Sequence, residues 1–414
     1  MAAPPTLPSG ALAGLRVLDL SRVLAGPWAG QLMADLGADV VKVERPGAGD
    51  DTRAWGPPWL PDEQGQPTSE SAYYLSANRN KRSVTIDMGR PEGAQLVREL
   101  AAEADILLEN FKVGGLAQYG LDYDTLRTIN PRLIYCSITG FGQTGPYAAR
   151  AGYDFLIQGM GGLMSVTGRP DGAPGAGPQK VGVALTDVMT GLYASVAVLA
   201  ALAHRERTGE GQHIDLALLD VQVACLANQA ANYLVGGKAP GRMGNAHPNI
   251  VPYQDFATAD GHMIIAVGND GQFARFCAVL GQPKWAEDPR FASNPARVRH
   301  REALVAQISA VTARRGTAEW VTAMEAAGVP CGPINTLDQV FDDPQVRARG
   351  LRVEMPHAQA GTVPLVANPI RMSASPVQYR QAPPTLGEHT DAVLAGWLRM
   401  DAAQVEALRR QNIV

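Results

Sequence analysis

Between Val183 and Arg207 the sequence reads VALTDVMTGLYASVAVLAALAHRER, and Asp187 is its one carboxylate before the charged end at His204. An acid placed at the start of an apolar segment has two readings. As a helix cap it accepts a backbone N–H, and its replacement by Ala costs about 1 kcal/mol. As a reactive group held where water is scarce, it is an unhydrated oxygen nucleophile suited to covalent chemistry. The residues alone leave both readings open.

Cations form the second set. Arg45 and Arg53 bracket ERPGAGDDTR, Arg79, Lys81 and Arg82 lie in NRNKRS, and Lys112 follows ENF. All fall at or near the ends of expected strands, where open α/β sheets bind ligands, so together they suit phosphates. Singly, each reads as a solvated loop residue. The loop RVLAGPWAG lacks the GxGxxG spacing of a dinucleotide site, and Pro27 removes a backbone donor, so NAD binding is not supported. The four cysteines (Cys136, Cys225, Cys277, Cys331) form no CxxC pair. With no His cluster at ligand spacing, they read as reduced thiols and no metal is expected.

The elements that must position these groups follow from pattern. GLRVLDL (14–20), ADVVKVE (38–44), SVTIDM (83–88), DILLENF (105–111), RLIYCSI (132–138) and HIDLALL (213–219) read as strands. Between them lie expected helices: Pro27 to Gly37, 91–104, about Val188 to Arg207, and Asp220 to Val235. This alternation predicts a doubly wound α/β domain with a parallel sheet. From GGKAPGRMGN onward the character changes to a smaller α+β domain. The segment after 335 has no place that local pattern supplies.

A 414-residue chain with 46% hydrophobic and 18% charged residues suits two globular domains. The net charge of -4 excludes a global basic field, so nucleic acid is not an expected partner. Glycine and proline together make about 18% of the chain, above the ~12% average, which implies many tight turns. MAAPPTLPSG lacks the charged and apolar regions of a secretory signal. The apolar run Gly191 to Ala203 is shorter than the ~20 residues of a membrane span. A cytoplasmic location with no membrane segment is expected.

LDLSRVLAGP, VKVERPGAGDDTR, NRNKRS, ADILLENF, SITGFGQTGP, RAGYD, ALTDVMTGLYA and RTGEGQHIDLALLD occur in an order that resembles the class III coenzyme A transferases, the formyl-CoA and carnitine CoA-transferase type. GAGDDTRAWGPPW, YCSITGFGQTGP and QVACLANQAANYL make the resemblance strongest to the succinyl-CoA:glutarate (hydroxymethylglutarate) branch. It implies a Rossmann-like large domain formed by 1–222 and a returning 335–414 segment. It also implies a smaller domain over 223–334 and an interlocked homodimer. The implied activity moves CoA from succinyl-CoA to a dicarboxylic acid, with acyl-CoA and carboxylic acids as partners and no cofactor.

The resemblance also assigns residues. Asp187 matches the nucleophile. Val23, Ala25, Arg45, Lys81, Asn110 and Phe111 match contacts to CoA. Tyr153, Asp154 and the loop carrying Gly244, Asn245 and His247 match the substrate region, and Arg22 is placed to pair with a distal carboxylate. A basic position of the family falls on Gln118. Three rivals remain. An α-methylacyl-CoA racemase needs a second base where Tyr153 stands, and a phenol with a pKa near ~10 is a poor one. The others are a non-catalytic acyl-CoA-binding protein and a nicotinamide-dependent dehydrogenase.

Overall fold

The computed structural model describes residues 10–414. Six parallel strands build the main sheet: β1 (Arg16–Asp19), β2 (Asp39–Glu44), β3 (Lys81–Thr85), β4 (Ile106–Glu109), β5 (Ile134–Thr139) and β6 (His213–Ala217). Their spatial order is β3-β2-β1-β4-β5-β6. A parallel sheet is covered on both faces, which explains the apolar runs of strands such as β4 (ILLE) and β5 (IYCSIT). Val17, Val40, Ile106 and Leu108 point to one side, against α1 (Ala25–Asp35) and α4 (Leu185–Thr208). Leu18, Val41, Val84 and Leu107 point to the other, against α2 (Pro91–Ala102), α3 (Tyr123–Ile129) and the C-terminal helix Thr390–Leu398.

Two compact units result. The first holds residues up to Leu163, Lys180–Gly236 and Val346–Val414; the second holds Met164–Gln179 and Gly237–Gln345. The expected boundaries at 222 and 334 therefore shift. Residues 164–179 belong with the second unit, tied there by the Gly244 N–H donating to the Gly168 carbonyl (2.9 Å) and by an Arg242–Asp171 ion pair. No local pattern announces such long-range pairs. The 346–414 segment completes the first unit, where Trp397 Nε1 donates to Asp39 and the Asn80 N–H donates to the Gln381 carbonyl.

The second unit is an antiparallel sheet of three strands, Tyr253–Ala257, His262–Ala266 and Cys331–Pro333, with His262–Ala266 central. Its core gathers Phe273, Phe276 and Trp320 from the surrounding helices and Phe291 from a turn.

Helix boundaries differ from expectation in two informative places. α1 starts at Ala25, so Pro27 sits inside the first turn, where its missing N–H has no intrahelical partner to lose. The expected helix from Asp220 to Val235 is two, α5 (Leu218–Ala224) and α6 (Ala227–Gly236), separated by Cys225 and Leu226, with Ala227 entering α6 at positive φ. α4 is 24 residues long, and by length and composition it is long and apolar enough to cross a membrane. The shorter estimate from sequence counted only its uninterrupted apolar run. Its inner face, Ala194, Val198 and Ala201, packs in the core beside α1.

Candidate active site

The strand order reverses between β1 and β4, so the loops that follow them diverge and open a crevice. A cavity of about 390 Å³ lies there. Arg22, Val23, Leu24 and Ala25 line it from the β1 side, Asn110, Phe111, Lys112 and Gln118 from the β4 side, and Gly140, Arg150, Tyr153 and Asp187 from beyond β5. Two close approaches make this possible. A Cβ on Gly191 would lie 2.7 Å from the Ala25 carbonyl oxygen, so glycine lets α4 reach α1 beside the cavity. A Cβ on Gly140 would lie 2.6 Å from the Cα of Gly152, which holds the Tyr153 segment against the end of β5.

α4 begins at Leu185 with Ala184 as its N-cap and no side-chain cap bond from that residue. Asp187 sits in the first turn and is not a cap. That work is done from outside: the Asp154 carboxylate accepts the N–H groups of Thr186 (2.8 Å) and Asp187 (3.3 Å) with one oxygen, and Gln158 Nε2 (2.6 Å) with the other. Asp154 is thus spent on the helix terminus and does not line the cavity. Asp187 is only 8% exposed, and no hydrogen bond or ion pair reaches its carboxylate among the described residues. Burial first, and the Asp154 charge second, push its pKa up to about 7. The helix start alone favours an ionised acid, but its free donors already serve Asp154. The Tyr73 phenol, half-buried, is raised to about 12 by burial and by the charges of Asp187 and Asp154.

The first loop is held group by group. Asn110 clamps the Arg22 backbone, accepting its N–H (2.9 Å) and donating to its carbonyl (2.7 Å). The Arg22 guanidinium pairs with Asp51 at 3.2 Å and lies over the Phe111 ring at 5.4 Å. The Phe111 N–H donates to Glu109 (2.8 Å), a carboxyl that burial raises to about 7. Lys112 and Arg150 line the cavity with no carboxylate partner among the described residues, and Arg150 lies over Phe141 and Tyr147.

Seven sequence-assigned residues therefore meet in one cavity: Arg22, Val23, Ala25, Asn110, Phe111, Tyr153 and Asp187. Tyr153 is 64% exposed, so its ring is not part of a packed core. Lys81 is corrected. It is 0% exposed, and its three N–H bonds go to Asp19, the Pro27 carbonyl and Asn78, leaving no donor for CoA. Arg53 and Arg79 are likewise buried, held by Glu44 and Glu70 and by Asp35. Arg45 is exposed, just beyond β2, and outside the cavity lining. Gly244, Asn245 and His247 lie in the second unit, where Asn245 donates to Asp255 (3.0 Å) and the His247 N–H to the Tyr253 carbonyl (2.9 Å). Sequence reasoning missed Arg150 and Tyr73, although Arg150 opens the quoted RAGYD motif.

The family model described as CoA-transferase family III matches residues 12–390. The chain is 56% identical to a succinate–glutarate CoA-transferase of Agrobacterium fabrum over 93% of its own length and 95% of that protein. It is 46% identical to a succinyl-CoA:glutarate CoA-transferase of Mus musculus, over 97% and 90%. Among solved structures it resembles a CAIB/BAIF family protein from Brucella suis, with TM-score 0.82 and 53% identity over 94% of this chain and all of that one.

Proposed function

The chain belongs to CoA-transferase family III, and from that membership we propose that it carries CoA from succinyl-CoA to glutarate through covalent intermediates on Asp187. The observation that carries the assignment to Asp187 is a carboxylate more than nine-tenths buried, unpartnered, and facing a cavity at the topological switch point.

Exchange without ATP needs an acyl intermediate close in energy to a thioester. Ionised Asp187 attacks the succinyl carbonyl, and the C–S bond breaks to give a mixed anhydride and CoA thiolate. The thiolate attacks the aspartyl carbonyl, releasing succinate and leaving an aspartyl-CoA thioester. Glutarate attacks that carbonyl and frees the thiolate again. The thiolate then takes the glutaryl carbon, so glutaryl-CoA leaves and the Asp187 carboxylate returns. Low hydration keeps the anhydride from hydrolysis and strengthens nearby dipoles. The start of α1, at Leu24 and Ala25, has no side-chain cap and lines the cavity, so its backbone N–H groups are candidates for steadying the tetrahedral oxyanion.

Lys112 and Arg150 supply positive charge for the phosphates of CoA or for the distal carboxylate of the diacid; Arg22, already paired with Asp51, is the weaker candidate. A second copy of the chain is part of the proposal. Leu192, Tyr193, Val196 and Leu199 on α4, and Tyr233, Leu234 and Val235 on α6, stand exposed on a single chain, apolar side chains that a second copy would cover. Light scattering should give twice the chain mass; the single-chain mass would remove the dimer.

Incubation with succinyl-CoA followed by peptide mass spectrometry tests the nucleophile. A CoA or succinyl adduct on the Asp187 peptide is expected. An adduct confined to another residue, with transfer intact, overturns the scheme.

A further inference from the structure

Val23 lines the cavity with φ +73°, and among the described residues it is the one β-branched side chain at positive φ. That conformation is disfavoured for such a residue, so something must hold it. The holder is Asp50. Its two oxygens each lie 3.2 Å from the Val23 nitrogen. One of them also accepts Thr52 N–H (3.0 Å) and Thr52 Oγ1 (2.8 Å), and the other pairs with Lys42 Nζ at 2.8 Å. Lys42 Nζ in turn donates to the Ser21 carbonyl at 2.7 Å. Both side chains are essentially out of water, at 1% and 0% exposure. Asp50 further caps the turn Asp51–Ala54, whose Asp51 pairs with Arg22.

We propose that Asp50, fixed by Lys42, is a positioning residue for CoA transfer, whose task is to hold Val23 in its left-handed conformation. Residues 22–24 then line the cavity, and α1 starts at Ala25. Asp50 itself does not line the cavity. Its carboxylate sets the loop through backbone hydrogen bonds, while Lys42 neutralises it and fixes the loop two residues earlier, at the Ser21 carbonyl. The proposal rests on this cavity being the site of acyl transfer.

The test is a double-mutant cycle read on kcat and KM for succinyl-CoA-dependent glutaryl-CoA formation, using Asp50→Asn, Val23→Gly and the double variant. Glycine adopts positive φ freely, so it needs the clamp less. Asp50→Asn should lower kcat at least about tenfold with a smaller change in KM. In the Val23→Gly background the same substitution should cost at least fivefold less. Additive effects in folded variants would overturn the positioning role, since a purely structural Asp50 is indifferent to residue 23. Because Asp50→Asn strands the buried Lys42 charge, Val23→Pro gives a second arm. Proline fixes φ near −65° and has no N–H. A well-folded Val23→Pro enzyme should lose turnover about tenfold, and one with wild-type turnover also overturns the proposal. Adduct formation on Asp187 is scored separately, so failure of the nucleophile assignment is distinguishable from failure of the clamp.

Discussion

Asp50 and Asp187 are both buried aspartates close to the same loop, yet they are opposite acids. Asp50 is held down to about 2, because Lys42 and the Thr52 donors outweigh the burial that opposes ionisation. Asp187 is pushed up to about 7, because burial acts unopposed and Asp154 adds a like charge. Burial does not separate the two. What separates them is whether donors converge on the oxygens. An acid saturated with partners is architecture; an acid deprived of them keeps its lone pairs free, as the proposed attack on an acyl carbon requires.

The sharpest way to break this contrast is to remove Asp187, the proposed nucleophile. Asp187→Asn should reduce glutarate-dependent transfer by about 10⁴-fold or more while leaving the fold intact, since neither carboxylate oxygen supports a structural bond. The measurement is turnover beside circular dichroism. Turnover within tenfold of wild type would place the chemistry elsewhere.

Stability against pH should sort the two acids by sign. The folded pKa of Asp187 lies above its unfolded value near 3.8, so its contribution is fully present below about pH 4 and is lost as pH rises through 7. Asp187→Asn should therefore match wild type at pH 4 and exceed it at pH 8, by an amount on the order of a few kcal/mol. For Asp50 the folded value lies below the unfolded one. Its contribution is present above about pH 4 and fades as pH falls toward 2, so Asp50→Asn should be weaker than wild type at pH 7. Denaturant melts across pH read both, and parallel curves for the two variants would dissolve the distinction.

Much of this was legible in the sequence, and what was not has a physical reason. The strands announced themselves because a sheet covered on both faces carries apolar runs, as in ILLE and IYCSIT. The order of motifs led to Asp187. Cations were the weak point. Lys81 and Arg53 sit in the same kind of loop-adjacent, basic stretch as Lys112, but their acid partners Asp19, Glu44 and Glu70 come from distant positions in the chain. One-dimensional spacing does not carry that information, so buried structural cations and cavity cations looked alike. Asp154 was placed at the site for the right neighbourhood but the wrong task, since its role as an external helix cap depends on a pairing 32 residues away in the sequence.

Asp154 also gives a finer test. It is the second cause of the raised Asp187 pKa, after burial. Under the proposed scheme Asp187 must be ionised, so kcat/KM should fall about tenfold per pH unit below a midpoint near 7. Asp154→Asn removes the like charge while keeping an oxygen for the Thr186 and Asp187 N–H groups. The acid limb should then move to lower pH but stop short of an ordinary aspartate, because burial is unchanged. An unmoved limb would mean that the Asp154 charge is screened from Asp187.

The smallest expected effect concerns the cations, and it separates paired from unpaired charge as the aspartates do. Arg22 is half exposed and already engaged with Asp51, so an added carboxylate must compete for it, and surface pairs of that kind are worth about 0–1 kcal/mol. Arg150 is held by aromatic faces and a hydrogen bond to the Met160 sulfur, with no carboxylate partner among the described residues, and has its charge available to the cavity. If a distal carboxylate binds there, Arg150→Ala should raise the KM for glutarate several-fold more than for a monocarboxylate of equal length, whereas Arg22→Ala should change the two alike by about twofold. The reverse ranking would mean that diacid binding breaks the Arg22–Asp51 pair, and that a charge satisfied in the free protein is the one the substrate reclaims.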